Sequence, residues 1–174
     1  YKSKIYESME SIIKESYEEE IKKKLQVKKR ISLHIRRGDY LKYRKDYGLC
    51  SKEYYLKGIE ILRKKYNIFE ADITVFGESV KEKLLKTLKI SKEQNYEFIK
   101  DELLQMLIMA NYDLHIISNS SYSWWAALLA TKNLHNEYFC ICPYPWNLNK
   151  SLFDKDIYYP EWTLVKNALT DKND

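Results

Sequence analysis

Two adjacent arginines and an aspartate follow a largely apolar segment in the first third of the chain. Residues 31–35 have the pattern of a buried strand, and Arg36, Arg37, Gly38 and Asp39 come directly after it. A guanidinium group is planar, donates two parallel hydrogen bonds to a phosphate and keeps its charge at any physiological pH. These residues therefore predict a site for a phosphorylated ligand.

A second polar group, Ser-Asn-Ser-Ser-Tyr-Ser, occupies residues 118–123. It follows another apolar segment and precedes a predicted helix. The start of a helix offers unpaired backbone N–H groups and the positive end of the helix dipole, and neighbouring hydroxyls add donors. Together with the arginines, this segment could hold a diphosphate without a metal ion.

Each of these residues also has a simpler interpretation. The serines and Asn119 are ordinary helix-capping residues. One of Arg36 and Arg37 can form a salt bridge with Asp39 or with a buried helix carboxylate. His34, inside an apolar strand, is typical of a core histidine. The phosphate interpretation is favoured because both polar groups fall at strand ends.

The segments that must position these groups alternate between strand and helix patterns. Short apolar runs predict five strands, at residues 31–35, 72–77, 95–99, 114–117 and 138–142, the last closed by Pro143. Four helix patterns lie between them. The first begins after the N-cap Ser51 and is predicted to bury Tyr55, Ile59, Leu62 and Tyr66, and the second to bury Val80, Leu84, Leu85 and Leu88. The third begins at Asp101 and is apolar nearly all round over residues 103–110, and the fourth covers residues 124–130. The remainder is predicted to be irregular.

This alternation predicts a Rossmann-like α/β fold, a parallel sheet with helices on both faces. In such sheets ligands bind beyond the carboxyl ends of the strands, which is where both polar groups fall. Only four glycines occur, so neither G-x-G-x-x-G nor a P-loop is present.

Length and composition set further bounds. The 174 residues fit one domain at 29–174, preceded by an amphipathic helix at 1–28, and the chain begins without Met, so we expect it to be part of a longer protein. Thirty basic and 25 acidic side chains leave a net charge of +5, too mild and too dispersed to favour nucleic acid.

The three cysteines lack zinc spacing and predict buried thiols in a cytoplasmic protein. Neither a signal peptide nor a membrane-spanning segment is expected.

The motifs resemble those of a known family. Residues 34–40, His-Ile-Arg-Arg-Gly-Asp-Tyr, resemble the H-x-R-R-G-D-Y motif of the α-1,2-fucosyltransferases of glycosyltransferase family 11. Residues 117–126 resemble that family's second signature, with Ser-Asn-Ser-Ser and Trp-Trp. Residues 143–146 and 159–162 are similar to its two closing P-x-x-W segments. Gly77 and Glu78 depart from the family's usual Ser-Asp, so no role is assigned to them.

The resemblance implies the C-terminal, donor-binding half of a GT-B-like glycosyltransferase. The implied reaction transfers L-fucose from GDP-fucose, with inversion, to a galactoside hydroxyl of a glycan acceptor in an α-1,2 linkage, without a metal ion. The N-terminal half of such enzymes has no counterpart in this chain, and the helix at 1–28 would connect the two halves. A cytoplasmic location, peripheral at the inner face of a membrane, fits this activity.

The resemblance also implies roles for individual residues. Arg36 would clamp the β-phosphate, and Arg37 would position the nucleotide or support its loop. Asn119 would hold phosphate or tie the loop down. The hydroxyls that would hold phosphate oxygens are those of Ser120, Ser121 and Ser123.

Guanine presents adjacent N–H donors that one carboxylate can accept. Asp101 is the best-placed candidate for this contact and Glu102 is the second, although Asp101 serves equally well as a helix cap. By the resemblance, His34 would contribute through its backbone.

The sequence leaves more than one candidate for the general base. Asp39 lies beside the arginines, but two guanidiniums favour its ionised form and make it a poor base, so a structural role is an equal alternative. Asp46 is a further candidate, and the base can also belong to the absent domain.

One alternative belongs to a different functional class: a non-catalytic nucleotide-sugar-binding module that retains the clamp without an acceptor site. A second alternative, nucleic-acid binding, rests on net charge and tyrosine content alone, and the interspersed acids argue against it.

Overall fold

The computed structural model describes residues 31–69, 72–78, 80–91, 96–97, 100–133, 138–152 and 155–169. The helix predicted for residues 1–28 lies outside these ranges, so its role as an inter-domain connection stays a prediction.

The described part of the chain forms a six-stranded sheet in which all paired neighbours run parallel. The strands are β1 (Ile31–His34), β2 (Ile73–Phe76), β3 (Tyr96–Glu97), β4 (Leu114–Ile116), β5 (Phe139–Tyr144) and β6 (Thr163–Lys166). Their order across the sheet is β3-β2-β1-β4-β5-β6. This order confirms the predicted Rossmann-like α/β class.

Helices cover both faces of the sheet. They are α1 (Lys52–Tyr66), α2 (Glu82–Leu88), α3 (Glu102–Ala110) and α4 (Ser121–Asn133), with short 3-10 turns at Gly38–Leu41 and Lys155–Ile157. Buried residues of α1 and α2 form one core with the sheet, whereas α3 and α4 form a second core on the opposite face. The predicted caps are confirmed: Ser51 Oγ accepts from the N–H of Tyr54, and Asp101 Oδ1 accepts from the N–H of Leu104.

Side-chain alternation in β1 separates packing from polar contacts. Ile31 and Leu33 belong to the core under α1 and α2. Ser32 and His34 have the opposite parity, and strand side chains alternate between the two faces, so they point towards α3 and α4. The strand is fully buried along its length, and only its polar face carries groups that can do chemistry.

Two sequence predictions about the C-terminal region were wrong. Pro143 does not close the fifth strand, because β5 continues through it to Tyr144. Pairing with β4 ends at Ile141, so the N–H that Pro143 lacks has no β4 partner to serve. The region predicted to be irregular contains β6, which pairs with β5 from Ile141 onward.

The three cysteines are buried free thiols, as predicted. Burial raises the pKa of Cys50 to about 11 and holds the pKa of Cys140 well above its usual value. These thiols are therefore protonated at neutral pH and serve packing and hydrogen bonding.

Two buried histidines predict a marked loss of stability in mild acid. Burial is the main cause that lowers the pKa of His34 to about 3 and of His115 to about 4, from 6.5. Between pH 6.5 and 4 these two histidines bind protons in the unfolded chain but stay neutral in the folded chain. The free energy of unfolding should therefore fall as the pH falls, by at most about 1.4 kcal/mol per pH unit for each histidine.

Urea unfolding between pH 6.5 and 5 measures this slope above the range in which carboxylates protonate. His115 donates through Nε2 to the carbonyl of Tyr112, so in the neutral ring Nδ1 accepts from the Ser32 hydroxyl. In a His115→Asn variant the pH slope should halve whatever its absolute stability. A free energy of unfolding that stays constant from pH 6.5 to 5 would contradict the prediction.

Candidate functional site

The predicted site falls where the sheet changes its direction of growth. From the central pair β1 and β4, the chain adds β2 and β3 on one side and β5 and β6 on the other. The loops that follow β1 and β4 therefore separate at their carboxyl ends and leave a crevice, the position where open α/β sheets bind ligands.

A cleft of about 90 Å³ lies at this position. Residues at the ends of β1 and β2 and at the starts of α3 and α4 line it. Its lining residues are His34, Arg36, Gly77, Glu78, Lys100, Glu102, Gln105 and Tyr122. Arg36 from the first predicted group and Tyr122 from the second thus share one cleft.

Arg36 contributes a guanidinium group to the lining of this cleft. Its side chain is 30% exposed and Nη2 lies 2.6 Å from Asp39 Oδ1. The guanidinium carbon stands 5.3 Å from the centre of the Tyr40 ring. Nε is buried and has no hydrogen-bond partner within the described ranges. Buried donors are nearly always satisfied in proteins, so Arg36 retains capacity for a ligand.

Arg37 points away from the cleft and supports the loop that follows β1. It is 3% exposed, and its guanidinium donates to the carbonyls of Arg36 and Cys50 at 3.1 and 3.2 Å. Of the two roles suggested for Arg37, this geometry favours loop support. A direct contact with a nucleotide stays a prediction.

Asn119 ties three segments together from a buried position. Its Nδ2 donates to the carbonyls of Tyr47, Gly48 and Trp146 at 3.1–3.2 Å, and its Oδ1 accepts from the Cys50 thiol. The side chain is 1% exposed. Of the two roles suggested for Asn119, this geometry favours holding the loop in place, and a contact with phosphate stays a prediction.

His34 connects β1 to the segment after β4. Its Nδ1 lies 2.7 Å from Ser118 Oγ, and its ring centre lies 5.4 Å from that of Tyr122. Burial and then the charge of Arg36 lower the pKa of His34 to about 3. His34 is thus neutral at physiological pH, and the cationic residues that line the cleft are Arg36 and Lys100.

The hydroxyls of the second group differ in their placement. Ser123 is fully buried and its hydroxyl lies within bonding distance of the carbonyls of Ser118 and Ser120. Ser120 is 3% exposed, while Ser121 is exposed as the first residue of α4. Ser120, Ser121 and Ser123 shape the turn into α4, and their contacts with phosphate stay predictions.

The starts of α3 and α4 are joined through Tyr122. Its hydroxyl donates to the carbonyl of Glu102 at 2.6 Å and accepts from Gln105 Nε2 at 3.2 Å. Burial raises the pKa of Tyr122 to about 12, so the hydroxyl stays protonated. Glu102 lines the cleft directly, whereas Asp101 caps α3 and is not among the lining residues.

The two carboxylates considered as a base occupy different places. Asp39 is 54% exposed and paired with Arg36, which suits a positioning role. Asp46 lies farther along the loop, where its Oδ1 accepts from Asn149 Nδ2 at 3.4 Å. Neither assignment as a base is tested by this geometry.

Sequence reasoning missed several residues of the cleft. Gly77 and Glu78 follow β2 at the same edge, and the strand-end rule applied to β2 would have found them. At Gly77, with φ +153°, an added Cβ would stand 2.3 Å from the carbonyl oxygen of Ile35, so glycine lets the ends of β1 and β2 stay close. Gln105 was detectable as a polar side chain in an otherwise apolar helix.

Other kinds of site receive no support from the described residues. Among them, no group of three or more His, Cys, Asp or Glu side chains is placed to hold a metal ion. Within the same ranges, every helix is too short or too polar to span a lipid bilayer.

Comparison with known proteins decides the family. The model of glycosyl transferase family 11 matches residues 2–166. The chain belongs to this family. The resemblance drawn from the two motifs is thereby confirmed, and the cleft lies where those motifs meet.

Two curated relatives from Escherichia coli match most of the chain. An alpha-1,2-colitosyltransferase is 32% identical over 142 residues, which cover 78% of this chain and 47% of that protein. The O-antigen biosynthesis glycosyltransferase WbnK is 31% identical over 135 residues, covering 72% and 42% respectively. This family 11 chain thus spans about half the length of the curated relatives it matches.

Proposed function

We propose that this chain is the donor-binding half of an inverting glycosyltransferase that transfers L-fucose from GDP-fucose to a galactoside hydroxyl in an α-1,2 linkage. The observation that supports it best is the meeting of Arg36 and the start of α4 in one cleft at the switch point of the sheet. A pyrophosphate placed there would lie between a fixed cation and the positive end of a helix.

Arg36 would make the main contribution of this half to catalysis, by stabilising charge on the leaving phosphate. Negative charge grows on the β-phosphate as the bond from the sugar to the phosphate breaks. A guanidinium already fixed beside that oxygen stabilises the transition state without reorganisation. The pairing with Asp39 and the stacking on Tyr40 hold the group in place before the ligand arrives. This clamp would need no metal ion.

Glu102 is the better candidate for guanine recognition. Its carboxylate belongs to a residue that lines the cleft, and Tyr122 fixes its backbone. A carboxylate is suited to guanine because it accepts from two adjacent N–H groups. Asp101 remains the alternative, although one of its oxygens already caps α3.

The direct test is calorimetric titration with GDP and UDP, paired with a transfer assay. We expect GDP to bind more tightly than UDP because only guanine offers the paired donors. Transfer to lactose, followed by mass spectrometry with and without EDTA, should proceed from GDP-fucose without added metal. A parallel reaction with a colitose donor is warranted by the name of the first relative.

The outcomes separate the two candidate classes. GDP binding and transfer together support the transferase. GDP binding without transfer by the protein as the cell makes it would favour the non-catalytic module. Equal weak binding of GDP and UDP would contradict the proposed donor site.

A further inference from the structure

A cluster of three tyrosines adjoins the phosphate clamp on the loop after β1. The ring centres of Tyr40 and Tyr47 lie 5.0 Å apart at an interplanar angle of 28°, and Tyr43 meets Tyr47 edge-on at 6.2 Å. The guanidinium of Arg36 stands over Tyr40 at 5.3 Å. An uninterrupted series of contacts therefore runs from the clamp to the exterior.

The outer end of this series is open to solvent. Tyr43 is 55% exposed, and Tyr40 and Tyr47 are half-buried. Isolated exposed aromatic residues are ordinary on protein surfaces. Three rings in series beside Arg36, with Tyr47 in contact with both Tyr40 and Tyr43, form instead a surface with apolar faces and polar hydroxyl tips.

The cluster sits on a well-anchored loop. The backbone of residues 43–48 makes one helical turn, in which the N–H of Tyr47 donates to the carbonyl of Tyr43. The carbonyl of Tyr47 accepts from both the N–H of Leu148 and Asn119 Nδ2. The backbone that carries the rings is therefore held in place before any ligand binds, which lowers the entropy cost of binding.

We propose that Tyr40, Tyr43 and Tyr47 form an aromatic platform on which a sugar ring of the acceptor stacks. This inference rests on the proposed function. A pyranose has one face rich in C–H bonds, whose partial positive charge suits the negative face of an aromatic ring. In an inverting transfer the acceptor hydroxyl attacks the anomeric carbon from the face opposite the departing phosphate, so the acceptor lies across the transferred sugar from that phosphate. The platform begins beside Arg36 and extends outward to Tyr43, away from the phosphate.

The charges around the platform favour a sugar over a membrane surface. Lys42, Arg44 and Lys45 are exposed on this loop, as a site for anionic lipid would require. However, Arg44 Nη1 turns back to the carbonyl of Leu41 at 2.7 Å. The carboxylates of Asp39 and Asp46 lie on the same loop, where they would repel lipid phosphates and can accept hydrogen bonds from sugar hydroxyls.

Kinetics with Tyr43→Ala, in the protein as the cell makes it, test the platform. We expect the KM for lactose to rise about 10-fold, the loss of one aromatic stacking contact, with an unchanged Kd for GDP. Hydrolysis of GDP-fucose in the absence of acceptor should keep its rate, because water needs no platform. Tyr43→Phe should retain the low KM, and Phe69→Ala, which removes a ring that is 63% exposed before β2, serves as the matched control.

A binding measurement that needs no turnover keeps this test separate from that of the donor. Saturation-transfer NMR should detect lactose on the parent protein without donor, and the signal should weaken in Tyr43→Ala. This result would support the platform even if GDP-fucose proved not to be the donor. Absence of lactose binding to the parent, or an unchanged KM in Tyr43→Ala, would overturn the inference. Sedimentation with phosphatidylglycerol vesicles that is lost in Tyr43→Ala, with an unchanged KM, would assign the loop to a membrane instead.

Discussion

Replacing Arg36 by Ala is expected to lower the rate of sugar transfer by roughly 100- to 1000-fold, the usual loss when one fixed donor to a developing anion is removed. The affinity for GDP should fall as well, because in the proposed complex the same guanidinium would face the pyrophosphate. Initial rates at saturating donor and GDP titration by calorimetry measure the two effects separately. The fold should survive, since Arg36 lies at the surface of the cleft and is 30% exposed.

Two further variants define the chemistry of this effect. Arg36→Lys keeps the charge and loses the planar fork, so its rate should fall between those of the parent and of Arg36→Ala. Arg44→Ala removes an exposed guanidinium from the same loop. Within the described ranges its side chain bonds to the carbonyl of Leu41, so the variant should leave the rate near that of the parent. An Arg36→Ala protein with unchanged GDP affinity and unchanged transfer would refute the assignment of the clamp.

The adjacent arginines illustrate what the sequence can and cannot supply. Alternation along an extended segment implies that Arg36 and Arg37 point to opposite sides, but it does not say which of them faces the ligand. That choice depends on the tertiary position of Cys50, whose carbonyl accepts a hydrogen bond from Arg37 inside the loop. Local pattern therefore predicted where the two arginines lie, whereas the choice of Arg36 over Arg37 came from the family resemblance, and its contact with phosphate stays a prediction.

The strands show the same division between local and tertiary information. The central strands were predictable because buried parallel strands are continuous apolar runs, as in Ile73–Phe76. β6 escaped notice because it is an edge strand in which only Val165 is buried. The sequence predicts that Pro143 ends β5, but whether a proline ends a strand depends on where the neighbouring strand ends.

From the sequence, only two of the segments that form the cleft could be predicted. Residues 34–39 and 118–123 each carry an unusual density of polar groups next to apolar segments. Glu78 and Lys100 are single charged residues in polar surroundings, and a sequence contains many such residues. They gain significance from the strand order, which brings the end of β2 and the start of α3 to the same edge as Arg36.

Asn119→Asp is expected to cause the largest loss of stability among changes at the site. The substitution replaces an amide that donates to three carbonyls with a carboxyl group that can donate to one at most, and only when protonated. The carbonyl of Tyr47 keeps the N–H of Leu148, but those of Gly48 and Trp146 lose the Asn119 donor, and each buried carbonyl left without a partner costs about 1–3 kcal/mol. We expect the free energy of unfolding, measured in urea at pH 7, to fall by roughly 3 kcal/mol or more.

The same change should weaken GDP binding without touching the ligand. Asn119 joins the loop after β1 to the segment around Trp146, and that loop carries Arg36, so its release removes the preorganisation of the clamp. Asn149→Asp is the matched control: it alters an amide whose contact with Asp46 is exposed, and its cost should stay well below that of Asn119→Asp. Equal urea midpoints for Asn119→Asp and the parent would show that other contacts hold the rim. A stable Asn119→Asp protein that still lost GDP binding would instead place this side chain on the phosphate itself.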